Sequence, residues 1–141
     1  MSRIDRARLE NAAFPFKHPV ATRFADVDQL GHINNVATAE LLQEGRIRFL
    51  LSLGLTDVPQ RSVVVAASSI EYVRDMLWPQ AIDVATGVLD IGRTSFQLGQ
   101  TARQQDMTGA YAEIVLVMRD TAGPAPLPEE WLGKLGAFKI V

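Results

Sequence analysis

The sequence predicts an α+β domain, an antiparallel five-stranded sheet wrapped around one long central helix. Three observations predict it. Only one stretch, from about residue 35 to 53, carries helical periodicity over the length of a long helix. Four strand-like segments follow it, two pairs of them joined by links of hairpin length. One further strand precedes the helix. A single helix cannot cover both faces of such a sheet. A curved sheet around the helix, its remaining apolar surface buried by a second subunit, satisfies the pattern.

The chain has 141 residues, the length of one domain, and residues 1–141 are read as a single unit. A hydrophobic content of 48% is enough for a core, and a net charge of −2 argues against a nucleic-acid partner. There is no cysteine, which excludes disulfides, thiolate zinc sites and cysteine nucleophiles. The first residues, MSRIDRARLENAAF, lack the apolar centre of a signal peptide, and no apolar run is long enough to span a membrane. A cytoplasmic protein with no membrane partner is the expectation.

Taken in order, residues 3 to 12 are charged and suit a loose helical turn without function. Residues 17 to 26 read as a strand that starts at an edge, because Pro19 cannot donate to a central ladder. Asn34 or Asn35 is a good N-cap. In the helix, Thr38, Leu41, Leu42, Gly45, Phe49 and Leu53 share one face, and Gly45 lets the backbone lie close to a sheet. Val36, Ile47, Leu50 and Leu51 fall largely opposite, so burial nearly all round is expected. Glu44 and Arg48 are spaced to pair, and Gly54 ends the helix. After a loop through Pro59, residues 62 to 73 are nearly continuous in apolar and small side chains, as for a strand covered on both faces. Residues 81 to 91, 94 to 105 and 110 to 118 alternate as half-buried strands. Links at Gly92-Arg93 and at Asp106 to Gly109 suit hairpins. The Pro-rich tail ends in a helical turn started by Pro128.

Chemistry concentrates between the first strand and the helix, where Asp26, Asp28, Gly31 and His32 precede the helix start. First-turn N–H groups have no intrahelical partners and can polarise a carbonyl oxygen; a nearby carboxylate can act as base or nucleophile. On composition alone turn and cap chemistry is the better account of the same aspartates, as are a backbone-bonded loop histidine for His32, an ordinary hairpin for Arg93, Thr94 and Ser95, and a surface pair with Arg48 for Glu44. The stretch DVDQLGHINN fits D-x-D-x-x-G but fails as a calcium loop, since its fifth position is Leu30 and its twelfth Ala37. With only His18 and His32 as imidazoles, no metal site and no cofactor is expected. Nucleophile-elbow, P-loop and dinucleotide motifs are absent from the sequence.

RFADVDQLGHINN, continued by QEGR within the helix, resembles the signature of the 4-hydroxybenzoyl-CoA thioesterase-like family of hot-dog-fold acyl-CoA thioesterases. IEYVRDMLWPQAIDVATGV, the hairpin from IGRTSF to VLVMRD, and PAPLPEEW resemble later parts of that family, so the likeness covers roughly residues 17 to 132. The resemblance implies a hot-dog fold and Asp28 as the catalytic carboxylate. It implies a thioester carbonyl held by backbone N–H near Asn35, with His32 orienting the turn or the substrate, and CoA contacts from Arg93, Thr94 and Ser95. Thr38 stands where the family usually has Tyr, so an aromatic acyl preference does not carry over. Related enzymes that use a helix carboxylate keep Glu44 as a rival.

Two readings follow. One is an acyl-CoA thioesterase, releasing free acid and CoA, that works as a homodimer or homotetramer. The other is a hot-dog protein that binds acyl thioesters without turning them over, or one that acts on acyl carrier protein.

Overall fold

The computed structural model describes residues 4–55 and 58–140; residue 3 of the expected N-terminal turn and residues 56 and 57 of the expected loop lie outside them. The elements run α1 (Arg6–Asn11), β1 (Phe16–Val20), a short 3₁₀ turn (Phe24–Asp26), α2 (Asn35–Ser52), β2 (Ser62–Tyr72), β3 (Ile82–Ile91), β4 (Ser95–Gln104), β5 (Met107–Asp120), β6 (Gly123–Pro124) and α3 (Glu129–Gly136). The main sheet is antiparallel in the order β1-β3-β4-β5-β2, and the two-residue β6 adds to the end of β5. This is the hot-dog arrangement of helix and curled sheet.

α2 packs chiefly on β1, β3 and β4. Thr38, Leu41, Leu42, Gly45, Phe49 and Leu53, the face expected to be inward, are all buried. Gly45 lies so close to β3 that a methyl group there would collide with Val84. The inward side chains of β5, from Ala110 to Met118 in alternation, close the core below. The convex face has its own cover. Asp5 caps α1, Leu9 of α1 sits over Gly99, and Ile140 of the tail sits over Gly87, forming a second apolar cluster with Leu89 and Tyr111. The N-terminal turn thus has a structural task.

Three expectations are corrected. The first strand is shorter than residues 17 to 26, because Arg23 and Asp26 bond each other and curl the chain into the 3₁₀ turn. β2 is not covered on both faces. It is the outer strand of the sheet, and Val65 within it is 50% exposed. α2 is not buried all round in one chain, since Val36, Ile47 and Leu51 stay exposed, Leu51 at 67%. The last two have one cause: α2 sits toward the β1 side and leaves the β2 side of the sheet open. Among the described residues no helix is long and apolar enough to cross a membrane.

Candidate functional site

The segment from β1 to α2 is a chain of local bonds. Val27 and Ile33 form a bridge, and inside it the N–H of Asp28 donates to the His32 carbonyl at 2.9 Å and that of Gly31 to the Asp28 carbonyl at 3.1 Å. Gly31 turns the chain at φ +85°, where a Cβ would be strained. Asn34 closes the segment. It is the N-cap of α2, its side-chain oxygen accepting from the Ala37 N–H at 2.7 Å, while its own N–H and side-chain amide donate to the Asp26 carbonyl. The Ile33 N–H reaches the Met76 carbonyl at 2.8 Å, which ties the loop to the connection after β2.

The two aspartates part company here. Asp26 is 2% exposed and fully engaged. It accepts from the Arg23 guanidinium at 2.7 and 3.2 Å and from the Arg23 N–H at 2.8 Å. The Arg23 guanidinium bond holds the Asp26 carboxyl below the usual aspartate range against the opposing effect of burial, with help from the backbone bond and the charge. Asp28 is exposed. Its Oδ1 accepts from the Leu30 N–H at 2.9 Å and the His32 N–H at 3.2 Å, and its Oδ2 has no partner among the described residues.

Asp28, His32 and Asn35 line one recess of about 230 Å³ between the start of α2 and the end of β2, together with Thr38, Tyr72 and Arg74. The N–H groups of Asn35 and Val36, at the positive end of the helix, have no acceptor among the described residues. A carboxylate with a free oxygen and two open donors therefore share one end of α2. Tyr72 donates its hydroxyl to the Asn35 carbonyl at 3.1 Å, and burial pushes its phenol up, so it stays a donor at neutral pH. The His32 ring lies 3.5 Å from the Asp75 carboxylate. Thr38 turns its hydroxyl back onto the Asn34 carbonyl.

Glu44 stands elsewhere. It lies 3.8 Å from Arg48 and faces a separate groove shared with Arg23, Asp26 and Glu40. Arg93, Thr94 and Ser95 are also apart from Asp28 within the chain. Their hairpin joins β3 to β4 at the end of the sheet where β2 begins, whereas Asp28 is at the end where β2 finishes. The carbonyls of Arg93, Thr94 and Ser95 accept from Leu127, Met118 and Gly92; Arg93 is exposed, and Thr94 and Ser95 are half-buried. Reasoning from sequence assigned no role to Tyr72, Arg74 and Asp75. Their signal was an aromatic followed by charges where an apolar strand ends, which only the strand order brings to Asp28.

The sequence matches the model of the thioesterase-like superfamily over residues 22–135. A protein of Bacillus subtilis named YsmA, uncharacterized, is 28% identical over 87 residues, 61% of this chain; the match spans only 59% of that relative's length. A thioesterase from Thermus thermophilus, solved with coenzyme A and zinc, is similar at 28% identity with a TM-score of 0.78 over 89% of this chain and 95% of its own. A predicted thioesterase from Bacillus stearothermophilus is similar at 26% identity with a TM-score of 0.78 over 88% and 96%.

Proposed function

Because the chain belongs to the thioesterase-like superfamily, we propose that it hydrolyses the thioester of an acyl-CoA to the free acid and CoA. The observation that carries this reading is the recess that the free Asp28 oxygen shares with Asn35, whose open N–H stands beside that of Val36 at the same helix end. A thioester needs no more in kind. The carbonyl oxygen sits at the helix start, and Asp28 removes a proton from water as it adds to the carbonyl carbon. The tetrahedral oxyanion is held by the two N–H groups, each such donor worth about 10²–10³ in rate. Collapse breaks the C–S bond and the departing thiolate takes up the proton. Asp28 attacking the carbonyl directly, through an anhydride that water then opens, uses the same atoms. His32, beside Asp75, holds the loop that carries Asp28.

The similar Thermus structure solved with coenzyme A supports CoA as the carrier. The working form is a homodimer or dimer of dimers joined through β2, whose long outer edge and the exposed side of α2 need cover. Antiparallel pairing of β2 with its copy carries the partner's hairpin toward Asp28, where Arg93, Thr94 and Ser95 would meet the CoA nucleotide. Free-thiol release from a panel of acyl-CoA substrates tests the reaction. Turnover of at least one is expected, and a folded protein that releases none sinks the reading. Light scattering at micromolar concentration should give a dimer or tetramer; a stable monomer alone would remove the shared site.

A further inference from the structure

The convex face of the sheet holds a recess of about 280 Å³ that the reaction proposed above does not use. Alternation along β3 and β4 sends Val84 and Gln100 toward α2, so their neighbours Ala85 and Thr101 face the other way. Lys17 of β1 is the cross-strand partner of Ala85, and Ala85 is that of Thr101, so three strands build the floor. Asp83 and Arg103, a second cross-strand pair, line it beside them, with Asp106 from the hairpin after β4. Glu10 of α1, and Ala12 and Phe14 of the link to β1, complete the lining.

Its polar groups are of two kinds. Glu10 and Arg103 are engaged. Glu10 accepts from the Arg103 guanidinium at 3.0 Å, from the Thr108 hydroxyl at 2.6 Å and from the Tyr111 hydroxyl at 2.9 Å. Even so, the Arg103 Nε is buried without an acceptor among the described residues. Lys17, Asp83 and Asp106 form no side-chain hydrogen bond or ion pair among the described residues. Neither does the hydroxyl of Thr101, a residue only 2% exposed. A buried hydroxyl without a partner costs stability. Here it belongs to a recess that free charges of both signs also line. An anion alone would meet two carboxylates there, and an organic cation alone would meet Lys17. A metal ion finds no group of three ligating side chains among the described residues. We infer that the recess binds a small zwitterion of the α-amino acid class. Its ammonium is turned to Asp83 and Asp106, its carboxylate to Lys17 and the Thr101 hydroxyl, and its side chain to Ala85 and Phe14. A volume just below the usual range of ligand pockets restricts the occupant to the smaller amino acids. The inference does not rest on the thioesterase reading.

The test is the thermal midpoint of the full chain with glycine, L-alanine, L-serine, L-threonine or L-valine, each at about 10 mM. At least one should raise the midpoint by about 3 °C or more. Ethylamine, propanoate and sodium chloride at the same concentration should not. Thr101→Val keeps the shape of the side chain and removes its hydroxyl. It should weaken the best amino acid at least about tenfold in calorimetric titration, the scale of one lost hydrogen bond to a charged group. Lys17→Met should do the same, and its exposed position keeps the test open if Thr101→Val folds poorly. A panel in which no amino acid moves the midpoint overturns the inference. So does a shift that ethylamine or propanoate reproduces, which would mark a plain charge effect, and so does an affinity unchanged in both variants. Turnover of acyl-CoA plays no part in the measurement, so its outcome stands whether or not the thioesterase reading does.

Discussion

The segment from Arg23 to Asn34 holds two carboxylates two residues apart, and its halves behave as different materials. In the first half Asp26 is buried, bonded through both oxygens to Arg23, and its backbone carbonyl anchors Asn34. In the second half Asp28 is exposed, uses one oxygen to shape its own loop, and leaves the other toward the recess. A carboxylate with both oxygens held by an arginine is poorly placed to take a proton or attack a carbon without breaking those bonds; one with a free oxygen is not so held. On the proposed reading the contrast gives fold to Asp26 and chemistry to Asp28, although the residue types are identical.

The strongest way to break that contrast is to change the second half alone. Asp28→Asn keeps an oxygen to accept from Leu30 and His32 and removes the base or nucleophile. It should cut kcat by about 10²-fold or more, with the thermal midpoint nearly unmoved. Glu44→Gln should have little effect on turnover, because Glu44 faces the other side of α2. An active Asp28→Asn beside an inactive Glu44→Gln would transfer the chemistry to the helix carboxylate.

Changing the first half should give the opposite pattern. Asp26→Asn turns an amide group toward donors of Arg23 that now find an acceptor. The thermal midpoint should fall by roughly 3–8 °C, the scale of losing buried hydrogen bonds in a domain of this size. Below the new midpoint kcat should stay close to that of the wild type. A large kcat loss at unchanged stability would erase the distinction between the two aspartates.

Acid sharpens the same comparison. The folded Asp26 carboxyl lies below its unfolded value, chiefly through the Arg23 side-chain bond. On lowering the pH the unfolded chain therefore binds its proton first. The stabilisation is complete above the unfolded aspartate value and is lost as pH falls through the lower folded value. The gap in thermal midpoint between wild type and Asp26→Asn should be constant at neutral pH and shrink in acid below the ordinary aspartate range. A gap that stays constant through that range would mean that charge plays no part in what Asp26 does. Midpoints measured by circular dichroism across a pH series decide it.

The elements were legible in the sequence to a large extent, because each follows from local pattern. Gly45 within an apolar face announced a helix lying against a sheet, and Pro19 announced an edge. The Asp28 loop was legible through resemblance and through the cap at Asn34. What local pattern does not carry is strand order. β2 reads as a doubly covered strand, SVVVAASSI, yet it is the last strand of the sheet, because the chain returns from α2 to the far side and then fills the middle with β3, β4 and β5. Its apolar content suits cover supplied by a second chain, and sequence composition does not distinguish that cover from cover within the chain. The same blindness hid Tyr72 and Asp75, whose nearness to Asp28 depends on β2 ending beside the helix start. Nor does local pattern show that Arg93 and Asp28 stand at opposite ends of the sheet in one chain.

A smaller effect is expected at Tyr72, which touches the chemical half from outside. Its hydroxyl donates to the carbonyl of Asn35, the residue whose N–H opens toward the recess. Tyr72→Phe keeps the ring against the helix start and removes one half-exposed hydrogen bond, so the midpoint should move little. Turnover should fall by no more than about fivefold, the scale of one ordinary hydrogen bond. Burial raises the Tyr72 phenol above its usual value, so the hydroxyl keeps its proton through neutral and mildly alkaline pH. The ratio of mutant to wild-type kcat should accordingly be flat across that range. A loss as large as that of Asp28→Asn, or a ratio that bends near neutral pH, would mean that Tyr72 moves a proton in the reaction. The free carboxylate would then share the chemistry, and the division between the two halves of the segment would no longer account for it.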